Sequence, residues 1–378
     1  MIGKAPFFDF QDFERLDLIR KYEYFHINKV FGEVYTIRQK DSGKIFVANM
    51  TRPKCSDENH KSPQRVVNIL SELDHPSLLK LVGYSKIHSD NITQSVIITE
   101  YFSNGTLSDM IQSEKLGHPH PGWNNTKKLI AVYGIASGLQ YMHSHNILHR
   151  DIKPSKVLMD DSLYPKIRGF NLIVKCDDKA SQKDIKSTPE YMAPEIIMME
   201  PSSKPMDVYS FAMTVYEIMN LQRPFEEIKN PNVIKILQKV GSGEMPKINN
   251  TTPKAFQKLI ERCWAKDPEE RPTFKEIVNL LKTDPGFITD DIDKEEYYKY
   301  INLIDQHMDN DDELDNTLTT YEDEEKRLRE QIDLKNEENL FLRKEIEKLR
   351  QNLNQEKEKV QNIILQKERI LSSSDFFN

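Results

Sequence analysis

The residues best suited to chemistry lie in the stretch ILHRDIKPSKVLM, residues 147–159, where the carboxylate of Asp151 is followed by two lysines, Lys153 and Lys156. Transfer of a phosphoryl group requires cations that hold the triphosphate, and carboxylate or amide oxygens that hold those cations. A second stretch, YPKIRGFNLIV at residues 164–174, reads as a strand that leads into a loop, yet it contains no acid. The second stretch therefore offers no carboxylate to a metal ion.

The elements that must position these residues change in character along the chain. Residues 31–50 alternate apolar and polar side chains around a glycine-containing turn, which predicts a β-hairpin. Residues 62–73 instead place apolar side chains on one helical face, and helical patterns dominate after residue 105. We therefore expect a small β-rich lobe at residues 13–102 and a larger helical lobe at residues 103–285.

Four motifs give the chain a resemblance to the eukaryotic protein-kinase domain over residues 13–285. They are ILHRDIKPSKVLM, STPEYMAPEI, DVYSFAMTVYEI and CWAKDPEERPTF, in the order and at the spacing of that family. Lys153 after His-Arg-Asp resembles the serine/threonine branch, and CWAKDPEERPTF resembles its tyrosine-kinase-like group. The resemblance implies an α+β fold with two lobes, a small β-rich one and a large helical one.

The resemblance also implies a set of catalytic residues, of which this sequence keeps Asp151 and Lys153. Five positions of the family are altered. Lys29 replaces a glycine of the phosphate loop, Met50 replaces the strand lysine, and Val66 replaces its helical glutamate partner. Lys156 and Gly169 replace the two metal ligands. Two unit charges about 4 Å apart interact by roughly 4 kcal/mol at an effective dielectric of about 20, so Lys156 would repel a divalent cation by up to about 8 kcal/mol. We therefore predict no metal site and little or no phosphotransferase activity, as in a pseudokinase.

Positions that sandwich an adenine in the family are also present. The predicted pocket consists of Val34, Ala48, Thr99, Glu100, Phe102 and Leu158. Such residues would be buried in any fold of this kind, so they do not by themselves indicate nucleotide binding. No cofactor is required by this interpretation. Weak ATP binding without Mg²⁺, with Lys156 near a phosphate, is the alternative.

Met50 and Val66 replace both members of an ion pair that the family uses to hold a helix against the sheet. Removing both charges can be neutral or stabilising, whereas removing one leaves an uncompensated buried charge. We predict that the two side chains touch, with independent drift at a disused site as the alternative. In the large lobe, the resemblance implies a buried bridge between Glu195 and Arg271, with Asp207 at the start of the central helix.

The composition changes near residue 286, after which the chain contains neither Pro nor Gly and carries 14 Lys and Arg against 25 Asp and Glu. Residues 287–317 are predicted to be an acidic, solvated linker. Residues 318–372 follow a heptad pattern with mostly apolar a and d positions, which predicts a coiled coil. A single Asn339 at an a position favours a parallel homodimer. Pairing with a different chain and a solvated single helix are the alternatives.

Several other classes of protein are disfavoured. The three cysteines are widely spaced, which indicates neither a disulfide framework nor a Cys-x-x-Cys metal site. The first residues, MIGKAPFFDF, lack the apolar run of a signal peptide, and no stretch approaches the roughly 20 apolar residues of a membrane span. We expect a cytoplasmic protein with no nucleic-acid partner and no membrane span.

The favoured interpretation is a catalytically impaired kinase-like scaffold or allosteric regulator, dimerised by its coiled coil, that binds other signalling proteins. One alternative is an active serine/threonine kinase in which Lys29 replaces the strand lysine and Asp151 accepts the substrate proton. A second alternative is a coiled-coil interaction protein with the kinase-like lobe as a docking module.

Overall fold

The computed structural model consists of two compact units, residues 1–307 and residues 308–378. The structure describes residues 6–21, 31–51, 63–89, 92–169, 172–176, 188–228 and 232–374. In the first unit a β-sheet region precedes a helical region, which confirms the predicted α+β class.

The first unit begins with an antiparallel sheet. Its strands are β1 (Phe13–Lys21), β2 (Phe31–Gln39), β3 (Ile45–Thr51), β4 (Leu81–Ser89) and β5 (Ile92–Glu100), in the spatial order β1-β2-β3-β5-β4. β2 and β3 form the hairpin that the alternating pattern predicted. On one face of the sheet, Phe46, Ala48 and Met50 of β3 pack with Val96 and Ile98 of β5 in an apolar cluster. Because side chains alternate along a strand, the other residues of β3 point to the opposite face.

Helices form most of the remaining first unit. They are α1 (Pro63–Ser71), α2 (Leu107–Lys115), α3 (Asn125–Ser144), α4 (Pro194–Ile197), α5 (Lys204–Asn220), α6 (Val233–Ser242), α7 (Lys254–Cys263) and α8 (Phe274–Thr283). Short strands between α3 and α4 are β6 (Ile147–Leu148), β7 (Val157–Met159), β8 (Pro165–Ile167) and β9 (Val174–Lys175). Asn124 caps α3, and capping boxes join Thr106 to Asp109 at α2 and Thr273 to Glu276 at α8. These caps supply partners for backbone N–H groups that the helices leave unpaired.

Two buried polar arrangements hold the helical region together. Arg271 donates to the two carboxylate oxygens of Glu195 at 2.7 and 2.9 Å, and both side chains are buried, which confirms the predicted bridge. The Asp207 carboxylate accepts hydrogen bonds from the backbone N–H groups of His149 at 2.9 Å and Arg150 at 2.8 Å. Arg150 has a φ of 65°, a left-handed conformation that costs energy for a residue with a side chain. Asp207 therefore fixes the strained backbone that leads into the candidate site.

The predicted acidic linker at residues 287–317 requires a correction. α9 (Lys294–Ser374) begins inside that segment, and four of its side chains are buried in the first unit. These are Tyr297, Tyr300, Ile301 and Ile304. They recur at helical spacing and so share one face of the helix. The high net charge of the segment concealed this apolar stripe from the sequence analysis.

The beginning of α9 makes specific contacts with the helical region. The Tyr300 hydroxyl lies 2.9 Å from the Ser77 hydroxyl. The Tyr297 and Tyr300 rings meet the Tyr133 ring edge-on, with centroids 5.9 and 6.2 Å apart. Gly134 leaves space for this approach, because a side chain there would collide with the Tyr300 hydroxyl. Residues 294–307 are thus a structural part of the first unit.

The second unit is the remainder of α9. Its apolar heptad residues Leu342, Ile346, Leu349 and Leu353 are between 46% and 63% exposed. The side chain of Asn339 lies outside the described part of the structure. The helix is present where the coiled coil was predicted, and its pairing stays a prediction. Neither α9 nor any other described helix is long and apolar enough to cross a membrane.

Candidate functional site

A cleft of about 460 Å³ is lined by both the sheet and the helical region. Five of the residues predicted for an adenine pocket line it: Val34, Thr99, Glu100, Phe102 and Leu158. The volume lies within the range of small-molecule sites, which is about 300–1,000 Å³. The position of these residues agrees with the predicted pocket, and their role in binding adenine stays a prediction.

Thr99 presents an incomplete polar group to this cleft. The residue is 4% exposed, and its hydroxyl has no hydrogen-bond partner among the described residues. A buried hydroxyl without a partner costs free energy, so such groups usually have a function or a missing partner. A ligand in the cleft would be able to satisfy it.

The predicted positions on β3 are wrong by one residue. Ala48 and Met50 are 0% and 2% exposed and belong to the apolar cluster of the sheet, whereas Val47 and Asn49 line the cleft. Val47 also pairs with Thr99 of β5, and both residues line the cleft. Because a shift of one residue exchanges the two faces of a strand, Asn49 occupies the place of the strand lysine.

Val66 lies in the cleft lining, on α1, where the family places its helical glutamate. Met50 lies on the opposite face of the sheet, within a cluster that does not include Val66. The predicted contact between Met50 and Val66 is therefore wrong, and the residue that shares the cleft with Val66 is Asn49. Lys29 lies outside the described residues, so its suggested role stays a prediction.

Both carboxylate oxygens of Asp151 are held by lysines. Lys153 Nζ lies 3.1 Å from Oδ1, and Lys156 Nζ lies 2.9 Å from Oδ2. Burial raises the pKa of Asp151, but the charges of Lys156 and Lys153 outweigh burial and hold that pKa below its ordinary value. Lys153 also donates to the Thr188 hydroxyl. Asp151 is thus a stably ionised carboxylate, and a low pKa weakens it as a proton acceptor.

The side chain of Lys156 occupies the space beside Gly169. A Cβ atom at Gly169 would lie 2.6 Å from Lys156 Cδ and 3.0 Å from Lys156 Nζ. The φ of Gly169 is +99°, which other residues rarely adopt. The family implies two metal ligands at these positions, but an ammonium group donates only and glycine has no side-chain oxygen. The residues present do not fit a divalent cation.

Other charged side chains line the cleft besides Lys156. Arg168, which immediately precedes Gly169, was not anticipated from the sequence, nor was Asp109, which also caps α2. Arg168 donates to the backbone oxygen of Ser155 at 3.1 Å. Across the described residues, no group of three or more His, Cys, Asp or Glu side chains is arranged to hold a metal ion.

The fold and the cleft together define the class of this molecule. A five-stranded sheet precedes a helical region, a His-Arg-Asp segment is fixed by Asp207, and a buried Glu195–Arg271 pair braces the helices. This is the architecture of a protein-kinase-like domain. The family model described as "Protein kinase domain" matches residues 30–281. The chain belongs to the protein kinase family.

Its relatives bear the names of protein kinases. The serine/threonine-protein kinase CTR1 of Arabidopsis thaliana is 32% identical over 222 residues, covering 58% of this chain and 26% of the relative. The dual specificity protein kinase shkC of Dictyostelium discoideum is 29% identical over 256 residues, covering 66% of this chain and 48% of the relative. The chain thus spans about half or less of the length of these relatives.

Proposed function

We propose that this chain is a catalytically impaired protein-kinase-like signalling scaffold or allosteric regulator in the cytoplasm, dimerised in parallel through residues 318–372. The observation that carries the proposal is the contact of Lys156 Nζ with Asp151 Oδ2 at 2.9 Å, which places an ammonium group where the family has a metal ligand. A carboxylate in this contact is a poor proton acceptor, and position 169 offers no oxygen to a metal. The domain would then act on other signalling proteins through its surface.

The apolar heptad side chains support the dimer. Leu342, Ile346, Leu349 and Leu353 are all about half-exposed on α9, and a second copy of the same helix would cover them. A parallel pair would place two kinase-like domains at the same end of one coiled coil. This arrangement suits a protein that brings partners together.

A transfer assay tests the loss of activity. The full chain is incubated with labelled ATP, Mg²⁺ and a generic acceptor protein, beside the matched variant Asp151→Asn. We expect no transfer above the level of the variant. Transfer that is present in the parent and lost in Asp151→Asn would overturn the proposal.

An active serine/threonine kinase is the second candidate, and one arrangement favours it. Lys153 contacts both Asp151 and the Thr188 hydroxyl, so a carboxylate, a lysine and a hydroxyl of the large lobe meet in one place. Lys29 would then have to supply the charge that Asn49 does not. The third candidate, a coiled-coil protein that uses the kinase-like lobe for docking, is distinguished by a partner that binds residues 308–378 alone.

A further inference from the structure

We propose that the ammonium group of Lys156 stands in for the metal ion of the family, so that the cleft binds a metal-free purine nucleoside triphosphate and Mg²⁺ weakens that binding. This inference rests on the proposed loss of metal-dependent transfer, and it deepens that function by naming the ligand. It predicts that Mg²⁺ weakens nucleotide binding. A cleft that had lost its metal ligands and bound no nucleotide would not show this dependence.

Steric coupling between two positions is the first support. Lys156 extends into the volume that any side chain at position 169 would occupy, since a Cβ there would lie 2.6 Å from its Cδ. Lys156 therefore fills the space beside Gly169, and a side chain at position 169 would have to displace the flexible end of the lysine. A lysine that had merely lost its function would be expected to extend into solvent, but the side chain of Lys156 is 17% exposed.

The charge around Lys156 is the second support. Asp151 contributes one negative charge, and Lys153 and Lys156 contribute two positive charges, so the cluster carries a net positive charge. Arg168 adds another cation to the cleft lining. An ammonium has three donors, and its contact with Asp151 leaves others for phosphate oxygens.

Acidic residues of the cleft must also be considered. Asp17, Glu100 and Asp109 belong to the lining. The Asp109 carboxylate accepts from the backbone and hydroxyl of Thr106, and the Glu100 carboxylate accepts from the backbone N–H of Lys80. These hydrogen bonds direct the Glu100 and Asp109 carboxylates to partners other than Lys156, whose ammonium group remains the cationic part of the lining together with Arg168.

The other end of the cleft is suited to a flat, partly apolar ring. Val34 and Leu158 supply apolar surface, and Thr99, which is 4% exposed and has no hydroxyl partner among the described residues, lines the same cleft. A purine has ring nitrogens and an apolar face that match this combination. A nucleotide would therefore give the Thr99 hydroxyl a hydrogen-bond partner and place its phosphates beside the cationic cluster.

Mg²⁺ is expected to oppose this binding for an electrostatic reason. The ion would lie close to a fixed ammonium group, and like charges at such separations repel strongly in a partly buried site. Mg²⁺ also neutralises part of the phosphate charge that Lys156 would attract. The metal complex of ATP should bind about tenfold more weakly than free ATP.

Isothermal titration of the full chain with ATP tests the proposal directly, in EDTA and in millimolar Mg²⁺. Lys156→Met should lower affinity in EDTA by about tenfold, the effect expected for one charge-assisted contact. Lys239→Met is the matched control, because Lys239 lies on α6 outside the cleft lining and pairs with Glu244. It should bind ATP like the parent. Thermal melting of each variant identifies any that fail to fold.

A double variant supplies a second, independent test. Lys156→Asn with Gly169→Asp restores two oxygen ligands and removes the lysine from the space beside position 169, so Mg²⁺ should strengthen ATP binding instead of weakening it. Lys156→Asn alone should remove the inhibition by Mg²⁺ without reversing it. The change from weaker to stronger ATP binding on addition of Mg²⁺ does not depend on the absolute affinity of the parent for ATP.

The outcomes separate this inference from the proposed function. Free ATP that binds more tightly than its Mg²⁺ complex, with loss in Lys156→Met, supports the inference. An absence of binding in either buffer overturns it and leaves the scaffold proposal standing. Binding that requires Mg²⁺, accompanied by phosphoryl transfer, overturns both.

Discussion

On β3, neighbouring residues lie in opposite environments, and this decides which substitution the domain can accept. Met50 is 2% exposed within the apolar cluster, whereas Asn49 lines the cleft and is only partly buried. A lysine needs an ion-pair partner or a route to water, and only position 49 offers such a route.

Met50→Lys and Asn49→Lys form a matched pair. We expect Met50→Lys to lower the free energy of unfolding by about 3 kcal/mol or more, because it buries an unpaired charge. Asn49→Lys should change it by less than about 1 kcal/mol. Urea denaturation measures both. Equal effects, or a larger effect at position 49, would show that the assignment of the two faces is wrong.

Buried histidines give the stability of the domain a pH dependence. His75 is 3% exposed, its Nδ1 accepts from the backbone N–H of Ser77 at 3.0 Å, and its Nε2 lies 3.2 Å from the Ser137 hydroxyl. Burial, with smaller contributions from His307 and Lys166, lowers the pKa of His75 from 6.5 to about 3.

The unfolded chain therefore binds a proton at His75 below pH 6.5 that the folded chain does not bind, so stability falls as the pH falls through this window. Between pH 6.5 and pH 5 the loss from His75 should reach about 2 kcal/mol. Urea denaturation at pH 7 and pH 5 measures it. His75→Gln should flatten the dependence, and His118→Gln, at an exposed position, should not.

Single residues also show what the sequence was able to predict about the site. Asp151, Lys153, Lys156 and Gly169 follow from short motifs with fixed spacing, and the structure brings them together. The prediction for Met50 is wrong by one position, because the sequence alone does not show which face of β3 each residue occupies. Cross-strand pairing determines that face, and pairing connects residues that are distant in the sequence.

Among the elements, α9 differs most from expectation. Its acids suggested a solvated linker, but a helix needs only one apolar face to pack, and four buried residues in residues 294–307 provide that face. Net charge averages over all faces of a helix and therefore hides such a stripe. For the same reason, a truncation meant to remove only the tail should end after residue 307 and not after residue 286.

Tyr300→Ala tests the docking of α9. The side chain is 1% exposed and contacts Ser77, Tyr133 and Tyr164, so its removal should lower the free energy of unfolding by about 3–5 kcal/mol. Tyr298→Ala is the control, since Tyr298 is 45% exposed on the same helix. It should cost less than about 1 kcal/mol. Similar costs for the two variants would mean that this part of α9 does not pack as described.

For the molecule as a whole, the proposed dimer depends on the apolar side chains of the second unit. Ile346 and Leu349 occupy adjacent a and d positions, where a pair of helices would bury them. The sequence predicts the helix and its register, but pairing requires a second chain and cannot be read from one chain alone.

Ile346→Glu combined with Leu349→Glu should convert the dimer to a monomer, because four carboxylates would face one another in the seam. Light scattering of the full chain measures the mass. Lys348→Glu, between these positions but outside the seam, is the control and should remain dimeric. A monomeric parent, or a double variant that stays dimeric, would contradict the proposed coiled coil.

The side chain of Lys156 beside Gly169 determines what would be needed to restore a metal site. An aspartate introduced at position 169 would have to displace the flexible end of Lys156, and it would adopt a φ of +99° that residues with a side chain rarely adopt. An asparagine introduced at position 156 would offer one amide oxygen with no carboxylate opposite it. Neither change alone would supply two oxygen ligands, so the two positions would have to be altered together. Engineering metal dependence into this cleft is therefore a two-residue problem.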